Sequence, residues 1–371
     1  MTKDNKINIL YLASRLRPQG PIFQLYNIIK YIDREKFHPY IATLSPEAPE
    51  SHLEAFREID VECHSFGLSR TAGMVLGPKK IIKLINENPV NLIHVFDYRS
   101  TLLCAKLPLD IPRVVTARQS YRQVFGPVLG RFMMKTFLRA CGKCERTVAV
   151  SNSIRTLTEN GTFRRIDIIH NGIDRDKFKP VDQEEKRRLR SRLGLPPDKH
   201  VFVSVGFLSK NKGLPTLIEA FSKIRENCSD VLVLLGSGPL LEKCSRLATG
   251  KGDIRPVGFV ENVQDYLGAA DAYVSASLTE GCPNAVMEAM ACGLPVILSD
   301  IPAHREILDF DKKAGLLFPT RNIDSLSNAF SKCLDGDYSE KTRAALNIIN
   351  NHLNAENMSR KYQELYAELC R

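Results

Sequence analysis

Short apolar, β-branched runs recur along this chain with amphipathic segments between them, and this rhythm constrains the fold more than any other feature. In the first half the runs lie at 8–13, 40–44, 92–96, 114–117, 148–151 and 166–170. Strand, amphipathic helix, strand is the signature of a parallel sheet covered on both faces. The segment DQEEKRRLRSRLGLPPDK at 182–199 reads as a charged helix ended by Gly194 and two prolines, and the rhythm then restarts at 201–205, 231–235, 254–258, 272–276 and 296–298. The expectation is an α/β chain of two doubly wound, Rossmann-like domains, joined near 172–182 and facing across a cleft. A length of 371 residues suits two such domains.

Ligands of such sheets bind beyond the carboxyl ends of the strands, so the loops after strands are where chemistry is sought. No G-x-G-x-x-G follows the first strand of either half, which argues against an NAD or FAD enzyme. The most specific stretch is SASLTEGCPNAVMEAMACGLPVILSD at 275–300. Glu280 ends a strand loop, Gly281, Cys282, Pro283 and Asn284 form a tight turn with Pro283 suited to a helix's first turn, and Glu288 lies one to two turns into the helix that follows. The free N–H groups of that helix start suit a phosphate. Carboxylates accept paired hydrogen bonds from vicinal sugar or ribose hydroxyls, and phosphate with hydroxyls means a nucleotide sugar. Glu288 as a merely solvent-facing residue fits poorly, because Val286, Met287, Ala289, Met290 and Cys292 around it call for burial, where an unpaired carboxylate is costly.

The spacing Glu280-x7-Glu288 with EGCPNAVMEAMACGLPVI, together with IIHNGIDRDKFKP at 168–180 and LLGSGPL at 234–240, resembles the retaining glycosyltransferases of family 4, which have the GT-B fold. The resemblance covers nearly the whole second half and the domain junction, and is weaker in the first half. It implies an acceptor-binding domain at 1–172, a nucleotide-sugar donor domain at 173–350 and a C-terminal helix at 351–371 returning to the first domain. It also implies transfer of a sugar from a nucleoside diphosphate sugar to an acceptor hydroxyl with retained anomeric configuration, without a metal or other cofactor. By position, Glu288 would hold the ribose hydroxyls, Glu280 the transferred sugar, and the backbone of 281–284 the sugar and phosphate. Base selection would fall to the backbone near Val257, Gly258 and Phe259, with a UDP-sugar favoured over a GDP-sugar. Glu306, in IPAHREIL, would be structural.

Two departures stand out. The family's diphosphate loop carries Gly-Arg-Leu and then Lys-Gly; here Gly206-Phe207-Leu208 precedes Lys210, Lys212 and Gly213. Lys212 is retained to neutralise the leaving diphosphate, Phe207 stands in the Arg place, and Lys210 is an extra cation that partly substitutes. In the first domain Arg118 stands where many relatives have a sugar-contacting His. An Arg there is no general base, but it clamps a phosphate or an acidic acceptor. His94, in LIHVFD, is expected either as an acceptor contact or as a satisfied core histidine. Arg15, Arg17 and Gly20, in the loop after the first strand, face the acceptor by the same resemblance.

Charge adds a second constraint. Residues 1–180 carry 28 Lys and Arg against 17 Asp and Glu, whereas residues 181–371 carry 24 against 25, so the net +10 belongs to the first half. Residues 113–146 hold eight basic side chains and one acid, with Arg131, Lys135 and Arg139 on one stripe of an amphipathic segment at 127–141. Two readings are open: a helix that docks on anionic lipid, or a core helix with a solvated basic face. No helix-turn-helix or ribonucleoprotein signature accompanies the charge, so nucleic acid is not an expected partner. The apolar stretch at 7–12 is too short for a secretory segment and no window suits a bilayer span. The expected location is cytoplasmic, peripheral on the inner face of the membrane. Ten cysteines lack framework spacing, and Cys141-Gly-Lys-Cys144 lacks a second ligand pair for zinc.

The sequence thus reads as a glycosyltransferase acting on a glycan or lipid-linked acceptor in bacterial envelope polysaccharide or lipopolysaccharide synthesis. Alternatives are a sugar-nucleotide-binding protein without transferase activity and a nucleotide-sugar epimerase, for which no acid and base pair is evident.

Overall fold

The computed structural model describes residues 6–108, 110–159, 166–224, 230–334 and 338–371. Its two compact units are Met1–Gly172 with Ala355–Arg371, and Ile173–Asn354. The first five residues of the N-terminal stretch and Cys228 lie outside the described residues.

In unit 1 the strands are β1 (Ile7–Ala13), β2 (Phe37–Thr43), β3 (Glu62–Ser65), β4 (Leu92–Val95), β5 (Arg113–Ala117), β6 (Arg146–Ala149) and β7 (Ile166–Ile168). They form a sheet of order β3-β2-β1-β4-β5-β6-β7, every pairing parallel. Unit 2 holds β8 (Val201–Val205), β9 (Val231–Leu235), β10 (Asp253–Gly258), β11 (Ala272–Ser275), β12 (Val296–Ser299) and β13 (Gly315–Phe318), ordered β10-β9-β8-β11-β12-β13 and again parallel. Two Rossmann-like parallel sheets flanked by helices are the architecture of the GT-B fold.

The apolar runs are continuous because both faces of each sheet are covered. Val201 and Val203 of β8 face a core shared with Val286, Met287 and Met290, while Phe202 between them enters the opposite core with Leu217, Ile218 and Phe221. Period-2 alternation between two buried faces leaves no polar positions to interrupt the run. In unit 1 the helix Ala355–Leu369 contributes Met358, Tyr362, Leu365 and Tyr366 to the core formed with Ile9, Tyr11 and Leu92. The two strands absent from the sequence reading, β3 and β13, are both sheet edges of four residues with partly exposed side chains.

The charged segment after residue 180 forms the helix Gln183–Arg192, capped by Asp182, whose side chain accepts from the Glu185 N–H. Arg190 on this helix is buried. Its Nη2 donates to Asp271 Oδ2 at 2.6 Å, and its other nitrogens donate to the carbonyls of Ala269, Pro197 and Lys199 at 2.9, 2.8 and 3.0 Å. Asp271 also accepts from Lys186 at 2.7 Å and from the Val201 N–H at 2.7 Å, so one carboxylate ties this helix to the start of β8.

Each sheet has a switch point, between β1 and β4 in unit 1 and between β8 and β11 in unit 2, where successive connections leave in opposite directions. The loops beyond those strand ends are where an open α/β sheet offers a crevice.

Candidate functional site

At the switch point of unit 2 the loop after β8 meets the loop after β11. Gly206 takes φ +153°, and a Cβ there would lie 2.8 Å from Cε and 2.9 Å from Nζ of Lys212. The glycine therefore supplies a backbone conformation that other residues rarely adopt and the space through which Lys212 passes. Lys212 Nζ reaches Glu280 Oε1 at 2.7 Å, and the Ser277 hydroxyl donates to the same oxygen at 2.7 Å. Asn211 O accepts from the Leu278 N–H at 2.7 Å, which pins the two loops together. Burial alone would raise the Glu280 carboxyl, but the charge and hydrogen bond of Lys212, with Ser277, hold it below the ordinary range. It is therefore a fixed carboxylate with a second oxygen left to accept further bonds.

The helix Asn284–Ala291 starts just beyond, with Pro283 at its cap in an extended conformation and no side chain capping it. Pro283 thus stands one residue before the first turn that the sequence suggests, and its side chain offers that turn no cap hydrogen bond. Glu288 lies one turn in and keeps only partial exposure. Burial pushes its pKa up to about 7, against the opposing charges of Lys177 and Lys212. Tyr273 lies fully buried near both carboxylates, with its own pKa raised first by burial and then by Glu280 and Glu288.

The remaining residues expected on the donor side lie around these loops. Phe207 is 59% exposed, and Lys210 is exposed on the short turn Lys210–Lys212, without a paired carboxylate among the described residues. Val257 and Phe259 are exposed at the end of β10, and Gly258 O between them accepts from the Gly236 N–H at 2.6 Å. Cys282 is partly buried in the turn.

Two partners escaped the sequence reading. His304 Nδ1 donates to Ser299 O at 2.7 Å, its Nε2 is buried without a partner among the described residues, and burial lowers its pKa to about 4 against the pull of Glu280. It is a neutral imidazole beside the Glu280 carboxylate. Lys177 is the second, a cation acting on Glu288 from within the motif at 168–180. Neither carries a local signal, since chain topology alone brings them to the glutamates.

Unit 1 has its own concavity, about 970 Å³, at the carboxyl ends of β1, β4 and β5. Arg15, Arg17 and Arg118 line it; Gly20 begins the helix Gly20–Lys30 just outside, while Pro21 and Ile22 reach the wall. The Arg118 guanidinium lies 4.7 Å over the Phe96 ring, and its Nη1 donates to Asn171 Oδ1 at 3.4 Å.

His94 is not an acceptor contact, and that expectation is corrected. The residue is wholly buried, with Nδ1 2.7 Å from the Tyr366 hydroxyl and Nε2 2.8 Å from the Thr116 hydroxyl. Burial, reinforced by Arg118, holds its pKa well below the usual value. Both ring nitrogens are spent within the core.

The amphipathic segment forms the helix Leu129–Cys141. Its second half is core, through Phe137, Ala140 and Cys141. Its first half exposes Leu129 at 56% and Phe132 at 63%, with Val128 at 84% just before it and Arg131, Lys135 and Arg139 exposed. Among the described residues no helix is long and apolar enough to cross a membrane, no group of three or more His, Cys, Asp or Glu is placed to hold a metal, and Cys141 and Cys144 are buried free thiols.

Comparison with known proteins places these features in a family context. Residues 23–177 match the family model described as Glycosyltransferase Family 4, and residues 199–336 match Glycosyl transferases group 1. The putative teichuronic acid biosynthesis glycosyltransferase TuaC of Bacillus subtilis is 33% identical over 225 residues, which is 60% of this chain and 55% of that protein. The chain spans about half the length of the first curated relatives that it matches. An Escherichia coli UDP-Gal:alpha-D-GlcNAc-diphosphoundecaprenol alpha-1,3-galactosyltransferase is 26% identical over 335 residues, 81% of this chain and 82% of that one. Among solved structures, Anabaena HepE in complex with UDP-glucose superposes with a TM-score of 0.83 at 18% identity, covering 98% of this chain and all of the other, a likeness of fold.

Proposed function

We propose that this chain, which belongs to the glycosyltransferases of the GT-B fold, is a retaining enzyme of family 4 type. It moves a sugar from a UDP-sugar to a hydroxyl of a glycan or lipid-linked acceptor in polysaccharide synthesis. The observation that carries the reading is the Lys212–Glu280 pair at 2.7 Å, set at the switch point of unit 2 beside the start of the helix that bears Glu288. The names of TuaC and of the Escherichia coli galactosyltransferase support a polysaccharide context and a UDP-sugar.

In this reading Glu280 accepts hydrogen bonds from the transferred sugar, Glu288 from the ribose diol, and the N–H groups of 281–284 meet sugar and phosphate. Lys212, with Lys210 in support, neutralises the diphosphate as the bond from the anomeric carbon to the phosphate oxygen breaks. The acceptor oxygen bonds to that carbon from the same face and its proton passes to the departing phosphate, so configuration is kept. The cationic help falls to lysines, and we assign no metal to the reaction. Exposed Phe207 in the diphosphate loop is the one observation that favours the second reading, binding of a sugar nucleotide without transfer.

A melting assay with UDP-, GDP- and ADP-sugars at pH 6 and pH 8, followed by nucleoside diphosphate release on an acceptor extract, separates these. Unliganded Glu288 holds a proton below about 7, whereas a ribose diol favours the carboxylate. Binding therefore expels a proton and strengthens as pH rises through this range, by at most about tenfold per unit. A larger stabilisation at pH 8 than at pH 6 by one UDP-sugar, with turnover, is the expected result. Stabilisation without turnover would favour the binding protein, and no stabilisation by any nucleotide sugar would remove both readings.

We further propose that the enzyme works peripherally on the inner face of the membrane, held by the exposed Val128, Leu129 and Phe132 and the basic stripe behind them. Flotation with anionic vesicles should recover the protein at low salt and neutral vesicles should not; equal recovery with both would defeat the idea.

A further inference from the structure

The cavity of unit 1 holds more positive charge than a sugar acceptor requires. Besides Arg15, Arg17 and Arg118, it is lined by Arg70 and Arg99, and the one carboxylate in its wall is Asp97. That carboxylate is already committed. Asp97 Oδ1 accepts from the Ser14 hydroxyl at 2.7 Å and from the Arg99 and Ser100 N–H groups at 3.0 Å each, and Oδ2 accepts from the Ser14 N–H at 2.5 Å. It caps the helix Tyr98–Cys104 and fixes the loop after β1. Among the described residues, Arg15, Arg17, Arg70 and Arg99 have no carboxylate within ion-pair distance.

The geometry of Arg99 is built rather than incidental. Its Nη1 donates to the Ser45 hydroxyl at 2.7 Å and its Nη2 to Ser69 O at 3.3 Å. Gly73 leaves the guanidinium its place, since a Cβ there would lie 1.7 Å from Nη2. Arg99 loses some of its hold on its proton, first through burial, and Arg70 and Arg15 add to this while Asp97 opposes them. Three cations thus crowd one wall without a free counter-charge, an arrangement that a bound multivalent anion relieves.

Another part of the lining is different in kind. Tyr121, Phe125, Leu129 and Met133 line it, with Phe125 46% and Leu129 56% exposed, so the apolar surface runs outward. A cavity whose lining combines guanidinium groups with an exposed apolar surface matches a ligand whose phosphate is attached to a hydrocarbon.

We propose that this cavity recognises the phosphate or diphosphate of a lipid-linked acceptor, gripped by Arg15, Arg70 and Arg99, with the hydrocarbon leaving along Phe125 and Leu129. The assignment rests on unit 1 being the acceptor unit and goes beyond it in naming the acceptor's chemistry. Arginine forks pair with phosphate oxygens in bidentate fashion, so each contributes direction as well as charge.

The test is calorimetric titration of the full chain at low salt with farnesyl diphosphate, farnesol and inorganic diphosphate. Farnesyl diphosphate should bind at one site, with each of the other probes weaker by about tenfold or more, because each keeps only half of the recognition. Arg70→Gln and Arg17→Gln alter exposed side chains and leave the fold intact; Arg70→Gln should weaken farnesyl diphosphate by about tenfold, and Arg17→Gln, which lines the cavity outside the grip, should weaken it less. Leu129→Ser should weaken farnesyl diphosphate and leave inorganic diphosphate unchanged. Farnesol binding as well as its diphosphate, inorganic diphosphate matching it, or binding indifferent to both arginine substitutions would each overturn the proposal. The same titrations in Glu288→Ala protein separate this claim from the donor reading. If nucleotide sugars fail to bind the unsubstituted chain, or bind the Glu288→Ala protein just as tightly, while farnesyl diphosphate still binds both, the donor reading falls alone; nucleotide-sugar binding that Glu288→Ala weakens, with no farnesyl diphosphate binding to either protein, removes this proposal alone.

Discussion

Replacing Glu280 by glutamine is expected to lower sugar transfer by about 10²- to 10³-fold with little change in melting temperature. The amide keeps the shape and an oxygen for the Ser277 hydroxyl, which now donates to Glu280 at 2.7 Å. What disappears is the negative charge that fixes Lys212 and accepts the sugar hydroxyls. Lys212 is freed from its ion pair, so diphosphate binding should persist or tighten while turnover drops, a separation that mere misfolding would not give. Turnover in the variant close to wild type would sink the assignment.

The largest loss of stability is expected at Arg190. Alanine there removes the partner of Asp271 and leaves the carbonyls of Ala269, Pro197 and Lys199 without their donor. Breaking a buried pair of this kind costs about 3–5 kcal/mol, enough to consume much of a domain's stability. Urea unfolding should show a lower midpoint at an unchanged slope. A midpoint near wild type would mean that Lys186, which also reaches Asp271, carries the hub.

These two residues mark how far the sequence was legible. Central strands such as β8 and β9 announce themselves because both their faces are buried. β3 (ECHS) and β13 (GLLF) do not, because an edge strand is half in water and too short for a pattern. Glu288 stands out through an apolar helix that ought not to hold a carboxylate, and both glutamates stand out through their resemblance to a known motif. Arg190 has no such signal. Within QEEKRRLRSR every charged position is compatible with solvent, and only the packing against Asp271, 81 residues on, selects which arginine is buried.

The same limit explains His94. A histidine ending a strand is equally compatible with a ligand site and with a core. The deciding contact is the Tyr366 hydroxyl, 272 residues away. Likewise the charge of the first half points to an anionic partner, and along the sequence residues 113–146, with eight basic side chains and one acid, stand out as its focus. Arg70 and Arg99 join Arg15 only through the β1–β4 switch point, and the commitment of Asp97 to capping is what leaves them uncompensated.

In the proposed function the loops after β8 and β11 hold a nucleoside diphosphate sugar. Hydrogen exchange of the intact protein with and without the stabilising nucleotide sugar tests it most directly. Protection is predicted at 206–213 and 277–288, and it should be weakened in Glu288→Ala. Protection confined to unit 1, around Arg15 and Arg99, or undiminished by that substitution, would contradict it.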